Sequence, residues 1–275
     1  FERLLTEIST LFINLPVDQI GNKIVAAQKR ICEVLDLDRS ALLLTAQDDP
    51  GMLLLTHVHQ PPGSPSPPDR LNARDFYPWT VPKILSGEII VISKMTELPA
   101  EACRDRDSFD LFGTKSAVYV PLSVGKGPVF GVVAFVVTRG ERDWPQRVVR
   151  QFQLVAQIFA NALSRQHAEK SLEERLQFEL LLTDISARFV NLPSGQIDGA
   201  IADAQRRVCE CLGLDLSTLW QWTTAGPRLL TMTHIYRVLE GLQLPEPVDA
   251  QELFPWCLQQ LEAGKIIALS SMAEL

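Results

Sequence analysis

The sequence predicts an α+β chain in which an antiparallel sheet carries helices on its faces, and it predicts that arrangement twice. Three observations carry this. Phe1 to Leu98 and Phe178 to Leu275 align without a gap, with about two positions in five identical, including Asn14-Leu15-Pro16 as Asn191-Leu192-Pro193, Thr56-His57 as Thr233-His234 and Pro78-Trp79 as Pro255-Trp256. A period this long lies well beyond solenoid repeats of roughly 20–50 residues and marks a duplicated domain. Apolar runs with strand composition, Ser116 to Leu122 and Val129 to Val137, flank a Gly125-Lys126-Gly127 turn and read as a hairpin. Helical periodicity appears between the strand signals, which favours helices packed on a sheet.

From Asp18 to Leu35, Ile20, Ile24, Ala27, Ile31 and Leu35 fall on one helix face, and the second copy keeps that face as Ile197, Ile201, Ala204, Val208 and Leu212. A packed helix explains this pattern better than a site does. Ala41 to Thr45 and Leu53 to His59 read as strands around an Asp48-Asp49-Pro50-Gly51 turn, and Gln60 to Asp69 as a proline-rich loop. A short helix is expected from about Asp75 to Gly87, a strand over Glu88 to Ile92, and a helix over Ala100 to Phe112. Gln146 to Asn191 contains neither Pro nor Gly and predicts one helix longer than a small domain covers. Its charged middle, Arg165 to Gln177, carries Ala168, Leu172 and Leu176 as a narrow apolar seam. Such a seam is buried most simply against a second copy in a parallel coiled coil, so a parallel homodimer is expected. The expected organisation is a complete module at 1–164, a connector at 165–177 and a second, C-terminally truncated module at 178–275, together a piece of a longer protein.

Composition narrows the function. A net charge of −7 weighs against nucleic acid, whose phosphates call for basic patches. No apolar run approaches the roughly 20 residues of a membrane span, so no membrane contact is expected. The five cysteines form no CxxC pair, and Cys32 and Cys209 occupy equivalent repeat positions. Buried thiols in a reducing compartment are expected, which places the chain in the cytoplasm.

Candidate site residues are few. His57 and His59 stand two apart on a strand, a spacing that could hold a metal. The second copy has Tyr236 in place of His59 and nothing nearby completes a ligand set, so no metal is expected. His57, kept as His234, either lines a cavity or bonds within the core. Trp79 lies beside Tyr77 and reads first as a core anchor. Cys103, next to Arg104 and Arg106, is a candidate redox thiol, and Arg104 to Asp107 reads as a solvated helix face. Gly113-Thr114-Lys115-Ser116 lacks the glycine spacing of a phosphate loop and precedes a strand. No catalytic arrangement stands out, and His167 lies in a charged context without the pattern of a phospho-accepting histidine.

Several stretches together resemble a GAF domain. They are Phe1 to Ser9, Asn14-Leu15-Pro16, Leu35 to Ser40, Pro78-Trp79, Gly113 to Ser116, Val120 to Gly125, Gly131 to Phe135 and Trp144-Pro145. The chain is similar to the GAF modules that precede kinase modules in bacterial sensor histidine kinases, and to those of diguanylate cyclases and enhancer-binding transcription activators. The resemblance implies a six-stranded antiparallel sheet, a ligand cavity, and parallel dimers whose long helices relay a signal to an output domain. On that basis His57, Trp79, Ser93, Cys103, Phe109 and Tyr119 are the expected pocket residues, for a small molecule the sequence does not identify. Bilin-attaching members have cysteine followed by histidine, where this chain has Cys103-Arg104. Cyclic-nucleotide-binding members continue their Asn-Lys motif to a phenylalanine and an acidic pair that Asn22-Lys23 lacks. Haem-binding members supply an axial histidine, for which four histidines offer few candidates. The sequence therefore supports a non-catalytic sensory module, with a ligand-free dimerisation spacer as the rival.

Overall fold

Six antiparallel strands build the first sheet: β1 (Arg39–Thr45), β2 (Met52–His59), β3 (Arg70–Asn72), β4 (Ile90–Ile92), β5 (Ser116–Leu122) and β6 (Gly131–Val137). Their order across the sheet is β3-β2-β1-β6-β5-β4. The computed structural model describes residues 1–46, 49, 51–65, 67–223, 229–238 and 248–269. It divides into two units, Phe1–Ser171 and Leu172–Leu275.

The central strand β6 explains the longest apolar run in the sequence, because all seven of its residues are buried. Val133, Phe135 and Val137 face one layer and Val132, Ala134 and Val136 the other, as strand alternation requires. The first layer is α1 (Glu2–Ile13), α2 (Ile20–Leu35) and the start of α6 (Gln146–Val190). There Phe135 stacks on Phe152 of α6 at 3.9 Å between ring centres, and Phe12 of α1 meets Phe159 at 5.6 Å. The second layer is α3 (Ala73–Phe76), α4 (Thr80–Leu85) and α5 (Cys103–Leu111). Its core includes Leu71, Ile84, Phe109 and Phe112.

In the second unit the order recurs as α7 (Ile197–Leu212), β7 (Leu216–Trp222), β8 (Leu229–Arg237), β9 (Val248–Asp249), α8 (Ala250–Leu253) and α9 (Pro255–Glu262). The copies share fine detail. The β1–β2 register shifts between Leu42 and Leu43, and the β7–β8 register shifts between Leu219 and Trp220. Residue 36, just past α2, is left-handed Asp36 (φ 51°), and its counterpart past α7 is Gly213 (φ 64°).

Several boundaries differ from the sequence expectation. The helix expected from Asp75 to Gly87 is two helices, α3 and α4, separated at Tyr77 to Trp79. Pro78 lacks the N–H that a continuous helix would use, and the buried carboxylate of Asp105 instead accepts from Trp79 N (3.1 Å) and Thr80 N (2.7 Å). The strand expected over Glu88 to Ile92 is confined to Ile90–Ile92, and that over Val129 to Val137 begins at Gly131. The helix over Ala100 to Phe112 opens as a 3-10 turn before α5 begins at Cys103. Two elements had no counterpart in the sequence reading, α1 and the short β3. Of the Asp48-Asp49-Pro50-Gly51 turn, Asp48 and Pro50 lie outside the described residues, and Gly51 N donates to Asp49 Oδ1 at 2.8 Å. The long helix runs unbroken over Gln146–Val190, and its buried positions end at Leu163.

Candidate functional site

The face of the first sheet beneath α3, α4 and α5 holds three of the six expected pocket residues, Trp79, Phe109 and Tyr119. β5 alternates, so that Tyr119 and Ala117 face this layer while Val118 and Val120 face the other. Phe109, fully buried on α5, stacks with Tyr119 at 5.7 Å and with Tyr77 at 5.1 Å, and Phe76 stacks with Phe112 at 6.0 Å. Trp79 is half-buried at the edge of this layer, with Lys83 Nζ 5.1 Å from its ring centre. The structure thus brings Trp79, Phe109 and Tyr119 together in one layer.

Polar groups are set into these rings. Arg39 at the start of β1 is buried and donates to Pro65 O (2.8 Å), Phe112 O (3.2 Å) and Thr114 Oγ1 (3.0 Å). It ties the proline-rich loop to the turn after α5. Asp105, fully buried, fixes the start of α4 as described above, and Ser108 Oγ donates to Phe76 O at 2.6 Å. Thr80 Oγ1 is buried without a protein partner. Burial pushes the phenols of Tyr77 and Tyr119 above their ordinary range, with the Arg39 charge acting in the opposite direction. Both remain neutral hydroxyls at physiological pH.

The remaining expected residues lie elsewhere. His57 pairs with Leu42 in the β1–β2 register, so it faces the α1–α2–α6 layer, across the sheet from Tyr119. Its Nε2 lies 3.2 Å from where a Cβ on Gly21 of α2 would stand, and its Nδ1 meets Thr56 Oγ1 at 2.9 Å. Thr56 Oγ1 in turn donates to Leu42 O (3.2 Å) at the register shift, and Thr233 and His234 repeat both contacts at 3.3 and 3.1 Å. Burial lowers the His57 pKa. Gly21 becomes Asp198 in the second copy, whose carboxylate lies 3.4 Å from His234 Nε2. The repeated Thr-His pair is therefore part of how the strand bulges. Ser93 follows β4 and its carbonyl accepts from Arg142 N at 3.4 Å. Cys103 is exposed at the first residue of α5. Cys32 and Cys209 are buried, and burial pushes the Cys32 thiol up to about 12.

Sequence reasoning missed Arg39 and Asp105. Asp105 was hidden in the alternating-charge run Arg104 to Asp107, which read as a wet face. Arg39 carried a usable signal, since the second copy has Leu216 there. Among the described residues no group of three or more His, Cys, Asp or Glu could hold a metal ion, and no helix is long and apolar enough to cross a membrane.

A sheet of this order, with a long helix closing one face and short helices with an aromatic layer on the other, is the architecture of the GAF fold. The GAF domain family profile matches residues 26–163, half of the chain, and the chain belongs to that family. Among solved structures it is similar to the phycoerythrobilin-bound GAF domain of a cyanobacterial phytochrome, with TM-score 0.52 and 16% identity over 62% of this chain and 97% of that one. The phycocyanobilin-bound GAF domain from a cyanobacterial phytochrome is similar at TM-score 0.50 and 16% identity, over 61% of this chain and 96% of that one. No curated protein sequence matches the chain.

Proposed function

We propose that the chain is a cytoplasmic input segment of a bacterial signalling protein. In this reading the first unit senses a small molecule on its α3–α5 face, and α6 passes its state to an output, a histidine kinase in the leading version. One observation supports this above others. α6 is a single 45-residue helix whose buried positions, from Val149 to Leu163, pack into the core beneath the first sheet. Its continuation carries Leu172 and Leu176, 68% and 55% exposed, along the seam expected to pair with a second copy. A helix anchored in a core at one end and paired in a parallel dimer further along transmits changes in packing as changes in helix arrangement. The ligand acts by preferring one arrangement and shifting the population toward it. The two similar GAF domains hold bilins, but Cys103-Arg104 departs from the cysteine-histidine pair of bilin-attaching members, so no pigment is assigned. The same input role would serve a diguanylate cyclase or an enhancer-binding transcription activator.

A ligand-free spacer is the second reading, favoured by the stacked rings that already occupy the α3–α5 face. Thermal-shift screening against a metabolite library, paired with light scattering, separates the two. The sensory reading expects a ligand that raises the melting temperature and leaves a dimer; a dimer with no responsive ligand supports the spacer. Incubation with labelled ATP is expected to give no phosphoprotein, and labelling at His167 would contradict a non-catalytic segment.

A further inference from the structure

We propose that Asn161 sets the register of α6 against a second copy of itself, on an interface that runs back from the connector onto the first unit. This rests on the dimer reading above and names the surface and the residue that align it. At about 100° per residue, Leu154, Ile158, Asn161 and Arg165 share one side of the helix with Ala168, Leu172 and Leu176, all within about 80° of arc. That strip lies across the helix from Phe152, Phe159 and Leu163, which are buried in the core. Leu154 is 53% exposed on it, and Asn161 and Ala168 are exposed as well. Phe12 and Ile13 of α1 line a groove beside Ile158, Asn161 and Ala162, which widens the apolar surface.

What the strip carries identifies its occupant. Leu154, Asn161 and Ala168 recur at heptad spacing, the repeat that keeps a seam facing an equivalent helix. Arg165 is the one charged residue of the strip between Leu154 and Leu176, and its guanidinium donates to Ile13 O (2.9 Å) and Leu15 O (2.5 Å). Those carbonyls draw the charge off the seam, so two copies meet without opposed cations there. The amide of Asn161 offers donors and an acceptor together, so two such side chains satisfy each other across a two-fold axis. Leucine pairs alone tolerate a slip by one heptad. A lone asparagine among them does not, because a slip leaves both amides against apolar side chains.

Cysteine cross-linking of the full chain tests this, with Cys103, Cys211 and Cys257 replaced by serine. Leu154→Cys should oxidise to a disulfide-linked dimer as readily as Leu172→Cys, since a disulfide needs Cα atoms within about 7 Å and equivalent seam positions supply that. A mixture of Ala168→Cys and Arg175→Cys chains should give no hybrid, because the hybrid requires a slip of one heptad. Asn161→Leu should keep the dimer and let that hybrid form. Asn161→Lys sets like charges face to face and should weaken the dimer about tenfold or more in sedimentation. No link at Leu154→Cys overturns the proposal. If Leu172→Cys still links, or the chain still sediments as a dimer, the dimer reading stands; a monomer removes both. A hybrid with Asn161 in place, no hybrid in Asn161→Leu, or undiminished association of Asn161→Lys also overturns the role given to Asn161.

Discussion

Asp36 shows what a single residue can reveal when the chain carries its own comparison. It sits at φ 51°, in the left-handed region that glycine occupies most easily, and Gly213 occupies the same position in the second copy. Its carboxylate pairs with Arg139 at 2.8 Å, but both side chains are largely exposed and such pairs contribute little. Arg142 bonds the Leu35 and Asp36 carbonyls and needs no side chain at residue 36. Asp36→Gly should therefore stabilise the first unit by about 1 kcal/mol in urea denaturation, and an equal loss would show the Arg139 pair to matter more than the backbone. His57 gives a pH prediction of definite sign. Its folded pKa is lowered by burial, so the unfolded chain binds the proton more readily. The stability it contributes is present above the unfolded value of about 6.5 and is lost as pH falls below it. The melting temperature should drop between pH 7 and pH 5, and His57→Gln should flatten that drop. An unchanged slope in the variant would place the titration elsewhere.

The elements were legible where periodicity was long and uninterrupted. The face of α2 and the span of α6 follow from spacing alone, and β6 from an apolar run too short for a helix between turn residues. The misses have physical causes. α3 and α4 read as one helix because their break depends on Asp105, a partner 25 residues from Thr80 in the chain. β3 has three residues, too few for alternation to register, and exists through its pairing with Met52 to Leu54. The candidate face was legible only as a region. Tyr119 and Phe109 could be placed near it by position, but the side of the sheet that His57 faces depends on the register shift at Leu42. Asp105→Ala should destabilise the first unit by roughly 2–3 kcal/mol, since two buried N–H groups lose a charged acceptor. Asp105→Asn, which keeps one acceptor oxygen, should cost less. A neutral Asp105→Ala variant in chemical denaturation would mean that the break at Pro78 is set by proline alone.

At the scale of the whole molecule the duplication is the main lesson. The two units keep corresponding first strands, β1–β3 and β7–β9, the same bulge and a left-handed residue just past α2 and α7. Shared features report what the fold requires. The seam of α6 belongs to this scale. Leu172→Lys with Leu176→Lys should convert a dimer to a monomer in sedimentation while leaving the helical signal nearly unchanged, because both side chains are exposed in the single chain. A dimer that survives both charges would locate the interface elsewhere. The proposed relay through α6 depends on that helix pairing in parallel with its equivalent. Its most direct test is pulsed electron resonance on nitroxides at Arg150→Cys and, separately, Glu173→Cys, with Cys103, Cys211 and Cys257 replaced by serine. The two positions lie about 35 Å apart along one helix. Parallel pairing predicts a short interchain distance at both; a long distance at either, or no interchain signal, would contradict it.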